Sequence, residues 1–337
     1  MNASAALKEV LAGQSLGRSE IRAVFDGLFA GEEDPVALAG LLVALASRGE
    51  TRDEVIGAAQ SMRAAMIPFE HDATDAIDTC GTGGSGLDTF NISTCSAIVA
   101  AAAGAPVIKH GNRSASSKCG SADLLEHLGV PLELTPAQAR EVLNESGITF
   151  LFAPAYHPAM RHAGPVRRSL GVRTVFNLLG PMCNPGGVTR QVVGVFDPAR
   201  VGDLAHVLQH LGAERALIVH GGEGADEFTL QGTNQVQAVG GDAGGAWAAN
   251  DLGLMAHPIV SCSGGDAPAN AKLLHDVLSG VAGSARELVL LNSAAALVVS
   301  GRATSPLEGV ALAREAIDSG AASEKLARWI RVAKAVA

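Results

Sequence analysis

The residues most able to do chemistry in this 337-residue chain fall into four clusters. The first is DTCGTGGSGLDTFN, residues 78–91, where Gly81, Gly83 and Gly86 stand at G-x-G-x-x-G spacing. The run lies between a short apolar, strand-like segment and a helical one. Glycines in that context let backbone N–H groups approach an anion, and the helix start adds the positive end of its dipole. NIST, residues 91–94, opens that helix with Asn91 and Ser93 as natural caps. A dinucleotide site wants an acidic residue about 20 positions further on, for the ribose hydroxyls. Here the next strand-like run, APVIKHGNR, ends in Lys109, His110 and Arg113, which suits phosphate and not NAD. A Walker loop is excluded because no G-K-[ST] follows. A phosphate cradle is thus favoured over a purely structural turn.

The second cluster, KHGNRSASSKCGS (109–121), strengthens the cradle reading. It combines Lys109, Arg113 and Lys118 with His110 and several serines, a donor set suited to a diphosphate. The competing reading is a solvated connection, with Ser121 as N-cap of the helix ADLLEHLG. The third cluster is Asp226 and Glu227 in HGGEGADEF, after the apolar run RALIV. Adjacent carboxylates among glycines suit Mg2+, which takes oxygen ligands and bridges to substrate phosphate. A general-acid role would need a raised pKa, and an isolated acidic turn would need no ligand. Beside a phosphate cradle, metal binding is the stronger reading. The fourth cluster, YHPAMRHAGPVRRSLGVRT (156–174), holds Arg161, Arg167, Arg168 and Arg173. An arginine fork pairs well with a carboxylate; one of the four is expected to be functional and the others to form a charged helix face.

Elements must position these clusters. Residues 1–68 read as all-helical, with Ile21, Val24, Phe25, Leu28 and Phe29 at helical spacing. Asp34 caps a second helix with Pro35 at its first position, and Leu38, Leu41, Leu42 and Leu45 line its face. Thr51 and Glu54 form a T-x-x-E capping box ahead of a stripe of Val55, Ala59, Met62 and Met66. This block is a small helical bundle whose outer apolar positions could also supply a dimer contact. From about residue 75 short apolar runs alternate with helical ones, the pattern of βα units and a parallel sheet. Ligands of such sheets bind at the carboxyl ends of the strands. Residues 157–187 interrupt the alternation and are expected to fold back onto the N-terminal helices. Four helices separated by glycines close the chain with no evident chemistry. Gly-rich AVGGDAGGAW (238–247) reads as a turn. The expected domains are 1–70, joined by part of 157–187, and 75–337, an α/β unit with a mainly parallel central sheet.

Composition narrows the partners. The net charge of −9 argues against a general nucleic-acid surface, which needs clustered Lys and Arg. No apolar run reaches the roughly 18 residues of a membrane span, and MNASAALKEV lacks the pattern of a signal peptide. Five cysteines, odd in number and without C-x-x-C, argue against a disulfide framework or a structural zinc site. The expectation is a reduced, cytoplasmic protein.

Together the stretches GTGGSGLDTFNIST, KHGNRSASSKCGSADLLEHLG, HPAMRHAGPVRRSLGVRTVFNLLGPMCNP and GADEF resemble the anthranilate phosphoribosyltransferases, over nearly the whole chain. The resemblance implies a small helical domain beside a larger α/β domain, a homodimer through the small domains, and Mg2+ dependence. It implies transfer of the 5-phosphoribosyl group from phosphoribosyl diphosphate to the amine of anthranilate, in tryptophan biosynthesis. It carries Gly81, Gly84, Ser85, Thr89, Asn91, Ile92, Ser93 and Thr94 to the donor, together with Lys109, His110, Gly111, Asn112, Arg113, Ser114, Ala115, Ser116, Ser117 and Ser121. It carries Gly81, Asn112 and Arg167 to anthranilate, with Arg167 facing the carboxylate, and Ser93, Asp226 and Glu227 to Mg2+. Lys109 and Arg167 would orient the substrates and stabilise charge, and His110 and His157 would line the acceptor channel. One departure stands out. The commonest family form of the loop is G-T-G-G-D, whereas the fifth position here is Ser85, which can hydrogen-bond but brings no charge. PMCNP likewise varies the family's usual PLTNP.

Two other readings remain open at this level. A nucleoside phosphorylase-like enzyme would cleave an N-ribosyl bond, but KHGNR and the acidic pair fit it less well. A non-catalytic relative that binds nucleic acid would need a basic groove, against the net charge.

Overall fold

A computed structural model describes residues 1–114, 118–241 and 243–337. The N-terminal helices are α1 (Ala3–Leu11), α2 (Arg18–Ala30), α3 (Pro35–Arg48) and α4 (Arg52–Ala65). Their ends follow from the local sequence. The Asp34 carboxylate accepts from the N–H groups of Val36 and Ala37, with Pro35 at the first helical position. The Thr51–Glu54 capping box forms, and Glu54 does more than cap. Its fully buried carboxylate also accepts from Leu16 N–H at 2.9 Å and pairs with Arg48, tying the α1–α2 connection to α4. α4 stops one residue short of Met66, which is already extended ahead of Pro68.

The α/β portion opens with β1 (Ile77–Gly81), α5 (Ile92–Ala102), β2 (Val107–Gly111), α6 (Ser121–Leu128), α7 (Pro136–Ser146) and β3 (Ile148–Phe152). The interruption follows as α8 (Ala153–Tyr156), α9 (Met160–Leu170) and α10 (Phe176–Leu179). Then come β4 (Arg190–Gly194), α11 (Val201–His210), β5 (Arg215–His220), β6 (Asn234–Val239) and β7 (Gly245–Trp247). The chain ends in α12 (Ala267–Leu278), α13 (Ser284–Ser300), α14 (Pro306–Asp318) and α15 (Ala321–Val336). The strands form one sheet of order β3-β2-β1-β4-β5-β6-β7. β1 to β5 pair in parallel, and β6 and β7 add an antiparallel edge. The Gly-rich 238–247 stretch, expected as a turn, also supplies strand: residues 238–239 end β6 and 245–247 form β7. These strands were not legible, because NQVQAV alternates too weakly to stand out.

Strand side chains alternate between two cores, since successive residues point to opposite faces. Val192, Leu217 and Val219 join α5, α13 and the C-terminal helices. Val193, Ala216 and Ile218 join α11, α2, α3, α4 and residues of the 163–183 region. α9 packs against α2 and α3, and α10 against α4, so the interrupting segment does fold back onto the N-terminal helices. The small helical part and one face of the sheet share a continuous apolar core. No helix among the described residues is long and apolar enough to cross a membrane.

Candidate active site

The order of the sheet reverses between β1 and β4: successive connections run outward to β2 and β3 on one side and to β5 on the other. Such a switch point opens a crevice at the carboxyl ends of the two strands. Both strands end in glycine there, and Gly81 and Gly194 are direct neighbours in the ladder. The loop after β5 lies over them. A Cβ on Gly194 would sit 1.5 Å from the Asp226 carbonyl oxygen, and one on Gly81 2.7 Å from Asp226 Oδ2. Paired glycines therefore create the space that brings Asp226 to the centre of the site.

The glycine turn behaves as an oxyanion cradle. Gly83, Gly84 and Gly86 have φ of +69°, +84° and +73°, a left-handed backbone that side chains resist. The Gly83 N–H donates to Asp226 Oδ2 at 2.8 Å, so the turn already holds a carboxylate, the chain's own. Ser85 is half-buried within this turn, and Thr89 bridges to Ser263. Asn91 does not cap α5 with its side chain as expected; its N–H donates to Asn270 Oδ1 on α12 and its Nδ2 to the Cys119 carbonyl. Ile92, Ser93 and Thr94 form the first turn of α5. The Thr94 hydroxyl and Asn91 Oδ1 are buried with no hydrogen-bond partner within the protein.

Beneath the turn lies a buried charged layer. Lys109 on β2 is 2% exposed, and its Nζ donates to the Thr79 carbonyl and to Ser93 Oγ. Burial pushes its pKa down, opposed by the nearby Asp78 carboxylate and, more weakly, by Glu227. Burial likewise pushes Asp78 up, and Lys109 draws it back. Asp78 accepts from the His110 N–H and from Asn184 Nδ2, and Asn184 Nδ2 also reaches the Ile108 carbonyl. One asparagine of PMCNP thus locks β1 to β2 under the site. Glu227 is raised well above the usual carboxylate range, first by burial and then by the adjacent Asp226, with the Ser93 N–H and Lys109 opposing. An acid pair so crowded favours a cation beside it.

Two histidines form the apolar flank. His110 and His157 have ring centroids 5.1 Å apart, and both Nε2 atoms are buried without a partner. Burial brings His110 down to about 3 and His157 to about 4, so both are neutral at ordinary pH. Arg167 on α9 lies over the Phe176 ring at 5.0 Å. No carboxylate among the described residues pairs with it, and burial lowers its pKa.

The basic loop differs from expectation in two respects. Arg113 forks Glu126 at 2.7 and 2.8 Å and reaches Asp123 at 3.1 Å, which fastens the loop to α6. Its charge is spent there because α6 presents both acids on the turn beside it. Ser121 is the first residue of α6 and not its cap; Gly120 takes that position, with the Asp123 carboxylate receiving the Gly120 and Ser114 N–H groups. Ser121 Oγ instead donates to the Asn112 carbonyl. Gly111 is required for packing, since a Cβ would meet Ser121 Oγ at 2.3 Å. Lys118 pairs with Asp88 at 2.7 Å, joining this loop to the glycine turn. Ala115, Ser116 and Ser117 lie outside the described residues.

Sequence reasoning missed Asp78, Asn184, Gly194 and Asn270. A signal existed for the first: an acid inside the apolar run AIDTC and a lysine inside PVIKH both demand buried partners. Nothing in the linear pattern pointed to Gly194 or Asn270.

Comparisons with known proteins agree with this geometry. Residues 73–323 match a family model described as the glycosyl transferase family, a/b domain, and residues 4–66 match the helical bundle domain of the same family. The chain is 48% identical to an anthranilate phosphoribosyltransferase of Afipia carboxidovorans over 98% of each chain. It superposes on the crystal structure of an anthranilate phosphoribosyltransferase from Thermus thermophilus with a TM-score of 0.93, at 46% identity, covering 98% of this chain and 99% of that one. A Saccharomyces cerevisiae anthranilate phosphoribosyltransferase in complex with PRPP and Mg matches at a TM-score of 0.90 and 25% identity, over 99% of this chain and 98% of that one. Neither a phosphorylase nor a nucleic-acid-binding reading is favoured by these likenesses.

Proposed function

We infer, from a chain that belongs to the anthranilate phosphoribosyltransferase family, that the switch-point crevice joins anthranilate to phosphoribosyl diphosphate, giving N-(5-phosphoribosyl)anthranilate and diphosphate. The observation that carries this reading is an oxyanion cradle, Gly83 N–H, set against two crowded carboxylates, Asp226 and Glu227. The donor's diphosphate would take the place at the glycine turn, with Gly81, Gly84, Ser85, Thr89 and residues 91–94 around it. Lys109 to Ser117 and Ser121 would complete that pocket, Arg113 acting through the position of the loop.

Mg2+ fits the donors available. Asp226, Glu227 and the Ser93 hydroxyl are all hard oxygens, as Mg2+ prefers. Glu227 is raised first by burial and then by Asp226, and a divalent cation would relieve the second of these. Bound there, Mg2+ would supply charge neutralisation for the departing diphosphate. The chain's own work is orientation and electrostatics. Lys109 supplies a buried positive charge beneath the turn. Gly81, Asn112 and Arg167 would hold anthranilate, Arg167 pairing its carboxylate, along a flank made by His110 and His157. An arylamine is unprotonated at neutral pH and needs no strong base, in keeping with two histidines held neutral. A closing movement of the helical part would exclude water from the activated ribosyl carbon. The working unit would be a homodimer formed through α1 and α3, which expose Leu11, Val36 and Val43.

The test is anthranilate fluorescence in the presence of phosphoribosyl diphosphate, with and without Mg2+. Consumption should require both. Replacing Asp226 and Glu227 together by Ala should abolish the Mg2+-dependent rate; near-normal turnover would refute the metal role.

A further inference from the structure

Arg173 stands apart from the other charged residues around the glycine turn. It follows the end of α9, between Gly171, at φ +62°, and Thr174, whose N–H donates to the Asn177 carboxamide at the start of α10. The Thr174 hydrogen bond therefore ties its backbone to α10 on the C-terminal side. The guanidinium carbon lies over the Phe196 ring, 3.6 Å from its centroid, and Nη2 donates to the Gly83 carbonyl at 3.2 Å. It fills the space over Gly84, where a Cβ would overlap Nη2 at 0.9 Å. In a chain with 34 acids and 25 Lys and Arg, no carboxylate among the described residues pairs with it. One N–H of five is used, and one face of the cation is shielded by an aromatic ring.

An unneutralised guanidinium laid across a turn whose N–H already holds an oxyanion is suited to a second contact with a polyanion. We propose that Arg173 binds phosphoryl oxygens of the donor at the glycine turn, with Phe196 as the platform that holds its fork in place. This rests on the donor reading above and adds a residue to it. Of the four arginines in the 156–174 cluster, two then act: Arg167 on the acceptor and Arg173 on the donor. Gly84 is required for a reason beyond its backbone, since any side chain there would displace Arg173. The donor carries phosphoryl oxygens in two places, the diphosphate and the 5-phosphate, and separate probes distinguish them.

The experiment is calorimetric titration of the full chain with inorganic diphosphate plus Mg2+, and separately with ribose 5-phosphate. It compares the unaltered protein with Arg173→Gln and Arg173→Lys, and thermal unfolding checks each fold. Gln keeps a donor for the Gly83 carbonyl and a flat group for Phe196, but no charge. Arg173→Gln should weaken one of the two probes by about ten- to a hundredfold, the loss of a charged hydrogen bond, and Lys should restore part of it. The KM for anthranilate should stay within about twofold, well below the tenfold that a lost charged contact would cost. Equal affinity of the unaltered and Gln forms for both probes would leave Arg173 only a structural prop and overturn the proposal. So would an equal rise in the anthranilate KM. An unaltered protein that binds neither probe and transfers nothing would overturn the donor reading itself.

Discussion

Charges at the switch point are stacked in layers, where burial shifts the titratable groups and neighbouring charges oppose or add to it. Asp78 and Lys109 face one another in the buried floor, so neither charge is isolated. Above them Asp226 and Glu227 repel. Arg167, with an aromatic ring beneath it and no carboxylate among the described residues paired with it, is placed to take a substrate carboxylate. Arg167→Ala should raise the KM for anthranilate by about ten- to a hundredfold and that for the donor far less. Equal effects in steady-state kinetics would sink the assignment. The histidines offer a test by pH. In the unfolded chain both titrate near 6.5, whereas in the fold they stay neutral down to about 4 and about 3. The unfolded chain thus binds more protons below about pH 6.5. The stability they contribute is complete above that pH and is lost progressively as pH falls toward 4 and below. Urea midpoints between pH 8 and 5 should decline, and His157→Gln should flatten that decline; an unchanged slope would count against the buried, neutral pair.

Two parallel strands that both end in glycine define the element scale. Ordinary residues at 81 and 194 would fill the crevice before any loop reached it. Gly194→Ala meets a backbone carbonyl at 1.5 Å, which can yield only if the whole Asp226 loop moves. It should cost about 3 kcal/mol by urea unfolding, at the upper end for overpacking, and should weaken the response of the rate to Mg2+. Gly81→Ala meets a carboxylate at 2.7 Å, a group that can swing aside, and should cost less stability. Much at this scale was legible. β1 to β5, the caps at Asp34 and Thr51 and the return of 157–187 onto the N-terminal helices all follow from periodicity and end signals. The weak hairpin β6–β7, the cap at Gly120 and the diversion of Arg113 to α6 do not: NQVQAV is half polar, Gly120 has no side chain to mark a cap, and Arg113 had competing partners within a few turns of chain.

Across the whole molecule, the sheet separates two cores, and the helical part shares one of them. Packing on that face leaves the outer surface of α1 and α3 uncovered. Val36 is 79% and Leu11 72% exposed, on two helices that pack against one another. Light scattering after size exclusion should give the mass of two chains, and Val36→Glu together with Leu11→Glu should shift it toward one. A monomer at micromolar concentration in the unaltered protein would rule out this dimer.

By itself the sequence determined the chemistry of the parts: a glycine turn before a helix, cations where a dinucleotide site needs an acid, an acid pair after a strand. These are local, and short-range backbone and charge rules read them directly. Only the tertiary structure decided which parts meet. The reversal of strand order places Gly81 beside Gly194 under Asp226, Asp78 against Lys109 and Asn184, and Arg173 across Gly83 and Gly84. Those neighbours are separated by tens of residues or more. Their contact is set by how the sheet closes and packs, which no spacing along the chain encodes.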